Sequence, residues 1–182
     1  MKDAKPERQS AMNKLIAIDP GVSGGIAVAT EAEPFELGNW NPPEVHKMPE
    51  TLTDIMQLIR GMLEEDPCVK AECWMENVGG YMPGNSGPAS VKFARHCGFL
   101  EGVLVTFKVP IIKVTPSKWM RWLLPSVPEE KKDRKNAIKS AMQLRYPHIN
   151  KMALWGSDAL GILTYAINQH KGKTNETHGG NP

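Results

Sequence analysis

Three carboxylates sit where this sequence can do chemistry. Asp19 closes an apolar run, Lys14 to Asp19, and is followed by Pro20 and Gly21. Glu76 closes a second run, Lys70 to Glu76 (KAECWME), and Asp158 falls in the first turn of a helical pattern from Gly156 to Asn168. Open α/β sheets place their sites at strand carboxyl ends. Clustered hard oxygen ligands suit Mg²⁺ or Mn²⁺, which accept carboxylates and keep several waters. Two such ions about 4 Å apart activate a water and stabilise the leaving oxygen in phosphodiester hydrolysis. Taken singly, each acid has a structural explanation. Asp19 is a turn residue, and Asp158 favours the positive end of a helix. Glu76 is the hardest to explain that way, because a carboxylate closing an apolar strand is costly without a partner.

The elements that must position these acids follow from period and punctuation. Lys14 to Asp19 and Gly24 to Thr30 make a hairpin across Pro20 to Gly24. A weaker strand lies within Trp40 to Met48, confined to an edge by Pro42 and Pro43. Thr51 opens a helix with Ile55, Leu58, Ile59 and Met62 on one face, and Asp54 three residues on completes an acidic helix-start pattern. Lys70 to Glu76 reads as a central strand, Gly79 to Pro88 as a loop, and Ser90 to Phe107 as a helix with apolar positions at Phe93, Cys97, Leu100, Leu104 and Phe107. Pro110 to Thr115 is a further strand, broken by Pro116. Glu129 to Tyr146 and Gly156 to Asn168 are helices. Trp119 and Trp122 read as core packing. The order requires an α/β sheet with helices on its faces. Residues 1–12 and 171–182 read as flexible tails around one domain, 13–170.

Composition narrows the class. The 182 residues are 41% hydrophobic and 23% charged, ordinary for a soluble domain. The longest apolar runs are too short to cross a bilayer, and the first eleven residues lack the apolar core of a signal peptide. Three cysteines (Cys68, Cys73, Cys97) without a CxxC pair argue against a disulfide framework or zinc ribbon, and for a reducing, cytosolic compartment. Cys68 and Cys73, placed about what looks like a strand, read as buried thiols. The net charge of +2 hides an asymmetry. Residues 1–107 carry 9 Lys/Arg against 15 Asp/Glu, and residues 108–182 carry 13 against 5. The later part is either an electrostatic footprint for a polyanion or a basic solvated face with a lysine-containing tail.

Four blocks in series carry a resemblance. IAIDPGVSGGIAV at 16–28 resembles the first hairpin of RuvC-type Holliday-junction resolvases. ENVGGYMPGNSG at 76–87, with Lys92-Phe93 and GFLEG at 98–102, resembles the phage branch of that family; VTPSKW at 114–119 and SDAL at 157–160 continue the match in order, over about residues 13–168. The resemblance implies an RNase H-like mixed five-stranded sheet with helices on both faces and a homodimer. It also implies two-metal (Mg²⁺, with Mn²⁺ as substitute) cleavage of four-way or other branched DNA, leaving 5′-phosphates, in a bacterial cell or phage-infected host.

Carried over residue by residue, Asp19, Glu76 and Asp158 take three of the family's four acidic metal positions. The positions three and four residues before the last acid, where the family carries its remaining ligand, hold Trp155 and Leu154. Neither ligates a metal, and no spacing assigns the nearby His148 or Asn150. Lys135 aligns with a family lysine near the scissile phosphate, where it would neutralise developing charge; on a helix face it is otherwise one more solvated base. Lys118, Arg121, Lys132 and Arg134 read as phosphate contacts that position DNA without reading sequence, and Lys92 and Arg95 join them beside the loop. The family's junction wedge, three residues after the glutamate, falls on Gly79. The nearest candidates are Tyr81 and Met82, with Gly80 beside them, unless Tyr81 merely packs its own loop. The helix Ser90–Phe107, through Phe93, Leu100 and Leu104, is the candidate dimer interface. Two other readings remain: a junction-binding protein with weak catalysis, suggested by the missing acid, and an actin-like ATP-binding domain, for which the chain is short.

Overall fold

The computed structural model describes residues 13–32, 39–64, 70–78 and 86–178. Ten elements follow in order: β1 (Asn13–Asp19), β2 (Gly25–Thr30), β3 (Glu44–Lys47), α1 (Leu52–Glu64), β4 (Lys70–Glu76), α2 (Gly87–Thr106), β5 (Ile111–Val114), α3 (Pro116–Leu123), α4 (Lys131–Arg145) and α5 (Leu154–His178). The strands form one sheet in the order β3-β2-β1-β4-β5. β1 pairs antiparallel with β2 and parallel with β4, β2 pairs antiparallel with β3, and β4 pairs parallel with β5. The expected mixed five-stranded sheet with helices on both faces is therefore what forms, with the proline-flanked β3 at an edge.

β1 is apolar in a continuous run because it lies in the middle of the sheet, covered on both sides. Leu15 and Ala17 join a core beneath α3, α4 and α5, while Ile16 and Ile18 join a second core beneath α1 and α2. The two-residue period then assigns the acids. Asp19 shares the parity of Leu15 and Ala17, and Glu76 that of Trp74, which lies in the same core. Both carboxylates therefore belong to the α5 face. The register aligns Ile18 with Met75, so Asp19 and Glu76 follow side by side at the carboxyl ends of two parallel strands.

The hairpin needs its glycines. Gly21 has φ of 116°, and a Cβ on Gly24 would stand 2.0 Å from the Asp19 carbonyl oxygen. Thr51 and Asp54 make the anticipated reciprocal cap of α1: the Thr51 hydroxyl donates to Asp54 Oδ2 at 2.7 Å and accepts from the Asp54 amide at 3.1 Å. Ile55, Ile59 and Met62 are buried and Leu58 partly so.

Three boundaries differ from the sequence reading. α2 begins at Gly87 rather than Ser90, capped by Ser86, and residues 116–123 form α3 rather than merely ending a strand. Both differences have one cause. Pro88 and Pro116 sit in first turns, where a missing N–H costs nothing and the fixed φ suits the helix. The third is α5, which starts at Leu154 and runs to His178, past the Asn168 end and into the expected 171–182 tail. Residues 169–178 contain no proline, and His170 packs edge-on against Trp40 with ring centroids 5.8 Å apart. Cys73 is buried inside β4, as expected; Cys68 and the tail 1–12 lie outside the described residues. None of the described helices is long and apolar enough to cross a membrane.

Candidate active site

Asp19, Glu76 and Asp158 come together around an open cleft of roughly 430 Å³, with Lys135 among them. β1 and β4 deliver the first two by register. α5 packs across β1 and β2, placing Asp158 in its second turn rather than its first. Pro20, Ser23, Val78, Phe93, Met120, Val127 and Ile138 complete the walls.

The electrostatics are those of three acids held close with one base. Burial, then the charges of Glu76 and Asp158, push Asp19 up from 3.8 to about 8, and Lys135 only partly opposes this. Burial also raises Glu76, against a hydrogen bond from Trp119, whose indole Nε1 donates to Glu76 Oε1 at 2.9 Å. Lys135 Nζ donates to Asp158 Oδ2 at 2.8 Å. Burial lowers its pKa, but the bond and charge of Asp158, helped by Asp19 and Glu76, outweigh that and leave it raised. The Asp158 Oδ1 oxygen is buried and has no hydrogen-bond partner among the described residues.

Among those residues, no three His, Cys, Asp or Glu side chains stand close enough to close on one ion as they are. The cleft nonetheless fits a divalent cation on three counts. It has three hard oxygen donors, one orphaned buried carboxylate oxygen, and a mutual repulsion that a cation relieves. Lys135 offsets part of that charge through its ion pair with Asp158. Among the described residues, no fourth acid lines the cleft. Leu154 is 43% exposed, and Trp155 packs its ring over the hairpin, its Cε3 carbon 3.2 Å from a Cβ built on Gly25.

The basic candidates fall in three places. Lys131, Arg134 and Lys135 of α4 line the cleft, and Lys132 beside them is exposed. Arg134 is partly committed, because Nη1 donates to the carbonyls of Pro128 and Glu129 at 3.1 and 2.8 Å. That fixes the loop before α4 and leaves its other donors for a phosphate. Lys118 and Arg121 are exposed on α3. Lys92 and Arg95 line a separate groove on α2, with Val22, Leu52, Val91 and Phe99. Gly80, Tyr81 and Met82 lie outside the described residues.

The proposed dimer contacts need correcting. Leu100 and Leu104 are fully buried in the chain's own core, and Phe93 faces the cleft, 3.4 Å from a Cβ built on Gly21. The residue missed by reasoning from sequence is Trp119. Trp119 is fully buried, as a core residue should be, yet its N–H ends on a candidate metal ligand. A signal was present, since a buried indole needs an acceptor and a carboxylate closing an apolar strand needs a donor. Trp122 stays 37% exposed, edge-on to Tyr165.

No family model matches the sequence, and no curated protein matches it. Solved structures do match the fold. RuvC of Thermus thermophilus in complex with a Holliday junction substrate is 16% identical with a TM-score of 0.55, over 87% of this chain and 96% of that chain. A second Thermus thermophilus RuvC structure is 17% identical with a TM-score of 0.50, over the same shares. The yeast mitochondrial Holliday junction resolvase Ydc2 is 12% identical with a TM-score of 0.49, over 91% of this chain and 80% of that chain. The chain has the RuvC-like resolvase fold.

Proposed function

We propose that this chain is a divalent-metal-dependent endonuclease that cuts branched DNA, four-way junctions among its substrates, by phosphodiester hydrolysis leaving 5′-phosphates. One observation carries the reading: β1, β4 and α5 bring three carboxylates, separated by 57 and 82 residues in sequence, to one cleft at the strand carboxyl ends. That this cleft occurs in a fold also found in a RuvC solved on a Holliday junction supports the substrate. Asp19, Glu76 and Asp158 would hold Mg²⁺ or Mn²⁺, which supplies Lewis-acid chemistry to the attacking water and the leaving oxygen. Lys135, freed from Asp158, would face the charge developing on the phosphate. Lys118, Arg121, Lys132, Arg134, Lys92 and Arg95 would hold the backbone. Tyr81 and Met82, which follow Glu76 by five and six residues in sequence, would act at the branch point, where unstacking costs least.

The absence of a fourth acid favours a second reading, a junction-binding protein with weak catalysis. Substitution separates the two. Asp19→Asn, Glu76→Gln and Asp158→Asn should each abolish cleavage and leave junction binding intact. Substantial activity in any one of them removes that residue from the ligand set. Wild-type binding without cutting in Mg²⁺ or Mn²⁺ leaves the second reading.

Symmetric cuts on opposing strands need two sites, and we assign a homodimer to the outer face of α1 and α2. Leu52, Met56, Val91 and Val105 are exposed there, with Phe99 partly so, and the exposed Lys92 and Arg95 border this apolar strip on α2. Solvent-facing clusters of this kind mark association surfaces.

A further inference from the structure

We propose that Trp119 is a positioning residue for the metal-binding carboxylates, a role that rests on the nuclease reading above and goes beyond core packing. Its indole N–H can only donate, and it donates to Glu76 Oε1 at 2.9 Å across 43 residues of sequence. The bond takes one oxygen of Glu76 and leaves the other for a cation. Groups that orient a metal's ligands in this way tune its affinity, and losing one typically costs about 10- to 100-fold.

The ring also reaches the helix that carries Asp158. A Cβ built on Gly161 would stand 2.7 Å from Trp119 Cζ3, closer than packed atoms approach, and 3.2 Å from Cε3. A glycine inside a helix costs about 1 kcal/mol relative to alanine, and here it makes room for the indole. Gly161 lies three residues after Asp158, nearly one turn along α5. Trp119 thus holds Glu76 by a hydrogen bond and is keyed against α5 by shape, fixing two of the three carboxylates relative to each other. α3 sets the ring in place, because Pro116 starts that helix directly after β5, the neighbour of β4.

Trp119→Phe keeps one aromatic ring and removes the donor, together with part of the ring that approaches Gly161. Three quantities are measured against wild type: the melting temperature with and without Mn²⁺, four-way-junction affinity in EDTA, and the Mg²⁺ concentration that half-saturates cleavage. The variant is expected to bind the junction in EDTA as wild type does. Its metal requirement should rise about 10- to 100-fold, with cleavage recovering at high metal, the loss typical of removing an outer partner of a metal ligand. A purely structural tryptophan gives the opposite pattern: lower stability at an unchanged metal requirement, which overturns the proposal. A wild-type chain with neither a metal-induced melting shift nor metal-dependent cleavage overturns the nuclease reading itself, and this role with it. Should Trp119→Phe not fold, the wild-type chain serves alone. Mg²⁺ titration should move one of its five indole N–H resonances with the half-saturation seen in cleavage, and five unmoved signals overturn the proposal.

Discussion

Replacing Asp19 with Asn puts a permanently neutral side chain of the same shape where burial and two other acids disfavour a carboxylate. In the folded, metal-free chain Asp19 is pushed up from 3.8 to about 8, chiefly by burial and then by Glu76 and Asp158. An acid whose pKa rises on folding supports the folded state fully only below its unfolded pKa, and that support drains away as pH climbs through the folded one. The window is therefore about pH 4 to 8. At about 1.4 kcal/mol per pKa unit, wild type carries a penalty on the order of 5 kcal/mol at pH 7.5 and under about 2 kcal/mol at pH 5. At roughly 2–4 °C per kcal/mol for a domain of this size, even half of that relieved raises the melting temperature by at least about 5 °C. Calorimetry in EDTA should show Asp19→Asn melting above wild type at pH 7.5, with the gap narrowing by pH 5. Added Mn²⁺ should raise wild type and leave the variant unmoved, because ligand binding to the folded state alone is stabilising. A variant that melts at or below wild type in EDTA at pH 7.5, or a gap that does not shrink in acid, refutes the picture of three carboxylates under mutual strain.

Lys135→Ala should act in both states of the cleft. Without metal it leaves Asp158 unpaired beside two other acids, so melting should drop at neutral pH and recover with Mn²⁺; with metal, cutting should slow by roughly 100-fold, as for loss of one transition-state donor. Unchanged stability and cleavage would return Lys135 to the solvated helix face. Val91→Glu with Val105→Glu should convert a dimer to monomer by light scattering, whereas Leu100→Ala should lower stability instead by roughly 2–5 kcal/mol; a wild-type chain monomeric both free and on a junction removes the dimer. Tyr81→Ala with Met82→Ala should weaken cutting of intact junctions far more than of nicked or preopened ones, and equal losses on both would assign the loop to general DNA binding.

The strands were legible because two-faced burial writes itself as an apolar run, and Asp19 and Glu76 because each closes one. Their common face needed only the two-residue period. What the sequence hid were features set by distant partners. Pro88 and Pro116 are equally good loop residues and helix-starting residues, and only the packing behind them decides. Leu100 and Leu104 have the spacing of an interface and of a core alike, and in α2, where the exposed Val91 and Val105 are apolar as well, the pattern does not say which face turns inward. Trp119 was readable as buried, but its acceptor lies 43 residues earlier on another element. The end of α5 was misjudged because a polar stretch without proline can continue a helix already docked elsewhere.

Metal-dependent cutting of branched DNA by this cleft can be read out directly. The direct measurement incubates the wild-type chain with end-labelled four-way junction, fork and plain duplex of matched sequence, with Mg²⁺ and with EDTA. Cuts are expected close to the branch point, in Mg²⁺ only, bearing 5′-phosphates, with plain duplex intact and Asp158→Asn inert. Junction binding without cutting in Mg²⁺ or Mn²⁺, or cutting that persists in EDTA or in Asp158→Asn, contradicts this expectation.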